Sequence, residues 1–146
     1  MWQLLRHQHL SFEGRTLIAV NVGGCLIPAA FSIYLYTHTD VSLLSILFGV
    51  CLVSVISFLV SRPIQGIGIG MPILIAPLSA ALAAIVIDPA HSAPLAYISG
   101  TLGVIIGADL MRLKDINHMG TPLASIGGAG TFDGIFITGI VAVILA

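Results

Sequence analysis

Charge is the scarcest commodity in this chain: charged residues fill 8% of its 146 positions, five Lys and Arg against six Asp and Glu. A formal net charge of −1 provides neither a basic field for nucleic acid nor an acidic tail, so no nucleic-acid partner is expected. Cysteine is nearly missing as well. Cys25 and Cys51 both sit inside apolar runs, which excludes a disulfide framework and leaves each thiol to pack as a small apolar group. Metal-ligand spacing is lacking too, since His7 and His9 form a lone His-x-His pair with no further ligands at zinc-like intervals. Neither a metal nor another cofactor is expected.

What the chain has in abundance is hydrocarbon. With 58% hydrophobic residues and a mean hydropathy of +1.11, it has too little polar surface to cover a soluble globule. The expected fold class is all-α, a polytopic membrane bundle of about five transmembrane helices, some broken by Gly or Pro, forming one domain over 1–146. The candidate spans are 16–36, 41–60, 66–87, 93–111 and 125–146, each long enough to cross about 30 Å of hydrocarbon as a helix. Short connectors leave no room for a soluble domain, so any chemistry is intramembrane or juxtamembrane. The run that follows Arg15 is too long for a signal peptide and lacks a small-x-small cleavage site, and it reads as a retained first helix.

Orientation follows from the few basic residues. If all five spans cross, Arg6, Arg15, Arg62, Arg112 and Lys114 fall on one side, while the opposite loops carry His38, Asp40, Asp88 and His91. The positive-inside rule then places the N-terminus in the cytoplasm and the C-terminus outside, across a cell's inner (cytoplasmic) membrane.

Against this background two carboxylates stand out. Asp109 and Asp133 lie within otherwise uncharged apolar spans, where an ionised carboxylate costs about 2.5 to 3.5 kcal/mol to insert, so a role in chemistry, ion coupling or helix capping is expected of each. Capping alone would make Asp133 a first-turn carboxylate of the fifth helix. Asp109 would reach toward water or pair with Arg112 or Lys114.

Depth along the helices sharpens the expectation. At about 1.5 Å per residue from the cytoplasmic ends, Asn21 lies about 7 Å in, Pro72 about 9 Å, Asp133 about 12 Å and Asp109 about 3 Å. Glycines crowd into the same layer: Gly23-Gly24 after Asn21, Gly66, Gly68 and Gly70 before Pro72, Gly107 before Asp109, and Gly127, Gly128 and Gly130 before Asp133. The pair Gly103 and Gly107, four apart, suits close helix approach. Gly66-x-Gly68-x-Gly70-x-Pro72 has no helical spacing and reads as unwound backbone, tolerated at membrane depth only beside protein or a water-filled cavity.

These motifs carry two resemblances. Asn21-Val22-Gly23-Gly24, Gly66-Ile67-Gly68-Ile69-Gly70-Met71-Pro72, Ile106-Gly107-Ala108-Asp109-Leu110 and Gly127-Gly128-Ala129-Gly130-Thr131-Phe132-Asp133-Gly134 resemble a family of small prokaryotic multi-pass membrane proteins of unknown function, from Thr16 onward. More distantly, Gly128-Ala129-Gly130-Thr131-Phe132-Asp133-Gly134 is similar to the Gly-x-Gly-Asp helix of intramembrane aspartyl proteases of the presenilin, signal-peptide-peptidase and prepilin-peptidase type. That resemblance implies a hydrolase with Asp109 and Asp133 as its catalytic pair on adjacent antiparallel helices. The sequence departs from the pattern where Thr131 and Phe132 separate the glycine from its aspartate, where Ala108 replaces the tyrosine often found before the first aspartate, and where no Pro-Ala-Leu motif follows Asp133.

In that reading the two carboxyls share a proton, one activating water while the other polarises a peptide carbonyl. Asn21, Gly68, Gly70, Pro72 and Gly130 are the candidate residues for binding substrate or water, chosen by depth. The partners are the lipid bilayer and a membrane-protein substrate, with a homo-oligomer also allowed. Two other classes fit the same residues: a proton- or cation-coupled small-solute carrier with broken helices, and a non-catalytic membrane assembly protein.

Overall fold

The computed structural model describes residues 17–64, 68–116, 123–127 and 134–146. Its longest uninterrupted helix arises where the sequence has neither proline nor charge to stop it. Helix α2 (Leu43–Val60) begins at Ser42, whose hydroxyl accepts from the Leu44 amide at 3.3 Å, and runs 18 residues. It stops at Ser61 because Pro63 forces the preceding residue into extended backbone. Helix α4 (Ser92–Val104) continues through a π turn at Ile105–Asp109, a 3-10 turn at Leu110–Arg112 and the short helix α5 (Leu113–Ile116). Among the described residues, the stretches Leu43–Val60 and Pro89–Asp115 are the two that are long and apolar enough to cross a membrane.

The other three expected spans are not continuous helices. In 16–36 the chain forms strand β1 (Leu17–Val20), a π turn (Val22–Leu26) and only then helix α1 (Ile27–His38). In 66–87 strand β3 (Gly68–Gly70) precedes helix α3 (Ile75–Ile87), and in 125–146 strand β4 (Leu123–Ile126) precedes helix α6 (Gly134–Leu145). At 12 or 13 residues each helix is about 18 to 20 Å long, short of a full crossing. Pro28 and Pro77 sit in the first turns of α1 and α3, where the missing amide has no intrahelical partner to lose.

The all-α expectation is therefore corrected to a mostly helical fold with four strands among the described residues. They form two small sheets. Strand β2 (Arg62–Ile64) pairs antiparallel with β3, Arg62 opposite Gly70. Strand β1 pairs in parallel with β4, Leu17 opposite Leu123 and Val20 opposite Ile126. Each strand lies at a helix breaker, Asn21 after β1, Pro63 within β2, Gly68 and Gly70 in β3 and Gly127 after β4, so its backbone is satisfied across to a partner strand.

Helix α4 is the hub, with nine of its 13 residues buried. It runs parallel to α2, as Val53 meets Gly103 and Phe58 meets Arg112, and antiparallel to α6, as Ser92 meets Ala146 and Gly100 meets Thr138. On α1, Phe31 stands edge-on to Tyr97 with ring centroids 5.1 Å apart. Gly103 and Gly107 both press on α2: a β-carbon at Gly103 would lie 2.6 Å from that of Val53, and one at Gly107 would collide with the carbonyl of Ser54. The close approach read from their spacing is present.

The interior is mostly small or hydroxylic, with Ala80, Ala84, Ser57, Ser99 and Thr101 all at 0% exposure, and Leu95, Ile98, Ile135 and Val53 are buried among them. Leu59 at 70%, Val86 at 81% and Ile144 at 76% point outward with many other large aliphatic residues.

Candidate functional site

Every segment singled out by the sequence delivers a residue to one end of the bundle. A core cluster there gathers Cys25, four residues past Asn21, with Ala76, four past Pro72; Val104 and Ala108 come from the Asp109 segment, and Ile126 and Ile135 from either side of the last glycine motif. The same end holds Arg112, hydrogen-bonded to the Ser61 carbonyl, together with Arg62 and Lys114 nearby in sequence. The far end carries Asp88, whose carboxylate meets His91 Nδ1 at 3.1 Å, close to the Ser92 to Ala146 contact. Among the described residues, the basic side chains thus collect at the end that carries Asp109.

Asn21 has a structural task. Its Oδ1 accepts from the amides of Gly23 at 3.0 Å and Gly24 at 3.3 Å, capping the π turn, while its own amide donates to the Ile126 carbonyl at 2.8 Å. Capping oxygens of this kind satisfy amides that a helix start leaves without partners. Immediately afterward two backbones cross. A β-carbon on Gly24 would run into the carbonyl of Gly127, and Gly127 holds φ at +87°, a conformation costly to any residue with a β-carbon. Gly127→Ala should lower stability by about 2 kcal/mol, read as a lower thermal midpoint in detergent.

The amide of Asn21 points at β4, so the alternation of a strand turns the backbone groups of Ile18 and Val20 away from it. Both side chains are exposed, and among the described residues β1 pairs with β4 alone. Among the described residues the second edge of β1 has no strand partner, and through Ile126 the sheet adjoins the cluster that holds Ala108.

Asp109 closes the π turn; its Oδ2 is shielded from solvent, while the residue as a whole is half-buried. The amide after it, that of Leu110, is shared between the carbonyls of Ile105 and Ile106. π turns carry an extra residue per turn at a cost and recur at functional sites. Arg112 is paired with Asp115 at 3.0 Å.

The remaining site candidates divide. Gly68 and Gly70 form β3, and Pro72 is an exposed link from β3 to α3. The backbone there is non-helical, as the Gly-x-Gly-x-Gly spacing suggested. Gly130 and Asp133 lie outside the described residues. Among the described residues no three His, Cys, Asp or Glu side chains gather as metal ligands.

Sequence reasoning missed two features. The parallel β1 and β4 pair was hidden inside apolar runs whose length suited helices, although Leu17-Ile18-Ala19-Val20 just before Asn21 is a short aliphatic segment with a breaker behind it. Arg112 was read as a marker of sidedness and as an ion-pair partner for Asp109, whereas it pairs with Asp115 and forks onto the end of α2, a contact with no signature in sequence beyond the helix stop at Ser61-Arg62-Pro63.

No curated protein and no solved structure matches this chain. Residues 2–145 match the family described as "Protein of unknown function (DUF1614)", and the chain belongs to that family.

Proposed function

We propose that this protein is embedded in the inner membrane with its basic end toward the cytoplasm, and that the Asp109 layer hydrolyses peptide bonds with Asp109 and Asp133 as a carboxyl pair. Embedding is supported by the mostly small or hydroxylic interior and the aliphatic exterior, the arrangement of helices packed in lipid. Sidedness is supported by the position of Arg62, Arg112 and Lys114 at one end.

The observation that carries the hydrolytic reading is the Asp109 carboxyl on its π turn, with Oδ2 shielded, at the end of the bundle where β1, among the described residues, pairs along one edge only. A peptide must be extended to present its carbonyl to a carboxyl pair. A strand edge holds such a peptide through main-chain hydrogen bonds whatever its side chains. One carboxyl takes a proton from water as the water attacks, and the other, protonated, donates to the carbonyl oxygen.

A second reading, a proton- or cation-coupled carrier, draws on α1, α3 and α6. Each is a short helix, and α1 and α3 are led in by non-α-helical backbone at the same end, as in ion-coupled carriers. The test is reconstitution of the wild-type protein in vesicles, assayed in parallel for cleavage of membrane-spanning peptides and for ion-driven solute uptake. Cleavage is the expected result; uptake without cleavage across varied peptides would overturn the hydrolytic reading in favour of the carrier.

Sidedness has its own test. Single cysteines placed near Lys114 and near His91, in a background with Cys25 and Cys51 replaced, should label from opposite faces in oriented vesicles. Labelling of both from one face would refute the proposed topology.

A further inference from the structure

Asp109 is bracketed by two anchors on α2. On one side Gly107 lies against the carbonyl of Ser54 with no space for a side chain. On the other, Arg112 spreads its guanidinium over the end of α2: Nη2 donates to the carbonyls of Phe58 and Ser61, each at 2.8 Å, and Nε donates to Ser61 Oγ at 3.3 Å. Nη1 holds Asp115 at 3.0 Å, and the group stacks 4.3 Å from the centre of the Phe58 ring. The side chain is only 18% exposed. The Phe58 and Ser61 carbonyls belong to the end of α2, where carbonyls lack intrahelical partners and attract cations.

Between these anchors the chain is wound first too loosely and then too tightly, a π turn at Ile105–Asp109 followed by a 3-10 turn at Leu110–Arg112. Relaxing the π turn to an ordinary α-helix would advance every later residue by one position, about 100° of rotation. That rotation would carry Arg112 off the carbonyls of α2. The clamp and the π turn therefore require each other, and Asp109 sits at the junction.

We propose that Arg112 is a positioning residue for Asp109: by clamping the end of α2 it locks the π turn and holds the Asp109 carboxylate in its shielded orientation. The assignment rests on the proposed role of Asp109, but its consequence can be read without any catalytic assay. A planar fork on several acceptors cannot be reproduced by an ammonium, so lysine is expected to fail in this position although it keeps the charge.

The experiment uses the full chain in bicelles, treated with a water-soluble carbodiimide and an amine, with modification of each aspartate followed by peptide mass spectrometry. In the wild type Asp109 should react far more slowly than exposed Asp40. Arg112→Gln and Arg112→Lys should each raise the Asp109 rate about tenfold, the population equivalent of losing one charge-assisted hydrogen bond, while leaving Asp40 and Asp88 unchanged. Asp115→Asn, which leaves the fork on α2 intact, should raise it much less and guards against variants that fail to fold. Unaltered Asp109 reactivity in both Arg112 variants, equal acceleration at Asp88, or a wild-type Asp109 as reactive as Asp40 would each overturn the clamp. Cleavage measured on the same samples separates the two ideas: a wild type that cuts nothing counts against the hydrolytic reading alone.

Discussion

Asp109→Asn is expected to reduce peptide cleavage by the reconstituted protein at least about 100-fold while leaving the bundle folded. Asparagine keeps the size of the side chain and can still accept a hydrogen bond, so the π turn and the core cluster around Ala108 have no steric reason to change. What it loses is the capacity to take or give a proton at working pH, and acid-base catalysis by a positioned carboxyl supplies about 10² to 10⁴ of rate. Asp133→Asn should give a loss of the same order, and the double variant should be little worse than either single one, because groups that act as a unit are strongly non-additive. Steady-state cleavage by the three variants, with circular dichroism as the control for folding, reads the result. Near wild-type cleavage by Asp109→Asn would remove that residue from the chemistry.

Gly107→Ala should be among the most damaging single methyl additions at the described glycines, at about 3 kcal/mol of stability. The added carbon would meet the Ser54 carbonyl, a backbone atom that cannot rotate away, so α2 and α4 must separate. Overpacking a rigid contact costs about 1 to 3 kcal/mol, and the absence of any flexible side chain to yield puts this site at the upper end. Gly23→Ala is the matched control. A β-carbon there finds only Asn21 Oδ1 at 3.7 Å, so the change should be within about 0.5 kcal/mol of neutral. Thermal or denaturant unfolding in detergent compares the two, and equal stability of both variants would show that the seam between α2 and α4 is looser than described.

How much of this was legible in the sequence depends on the kind of interaction. The small-residue seam could be read because spacing alone dictates it: Gly103 and Gly107, four apart, share a helix face. Unwound backbone at Gly68 to Pro72 could be read because glycine and proline act locally. Hydrophobic length, by contrast, misled at both ends of the chain. An apolar run of 21 residues does not say whether its backbone bonds along the chain or across to a strand over 100 residues away, and Leu17 to Val20 chose the latter. Asn21 was flagged for its depth, whereas its oxygen is engaged as a cap. Asp109 was assigned by depth, and its neighbour Ala108 does join Cys25, Ala76 and Ile126 in one cluster, but the π turn and the contacts of its segment with Ser54 and Ser61 are long-range and leave no local trace.

The parallel pairing of β1 with β4 has a consequence for how the protein is made. Leu17 cannot meet its partner Leu123 until 123 − 17 = 106 further residues have been synthesised, a delay of about 5 to 20 s at ordinary translation rates. During that interval the strand-forming segment, followed by Asn21 and its glycines, emerges and must be accommodated without its ladder partner. Closure of so long a loop is slow compared with the local contacts that form α2, α3 and α4. The end of the bundle that carries Asp109 is therefore the last part to assemble, and a chain cut short before Leu123 retains its hub helix but cannot complete that end.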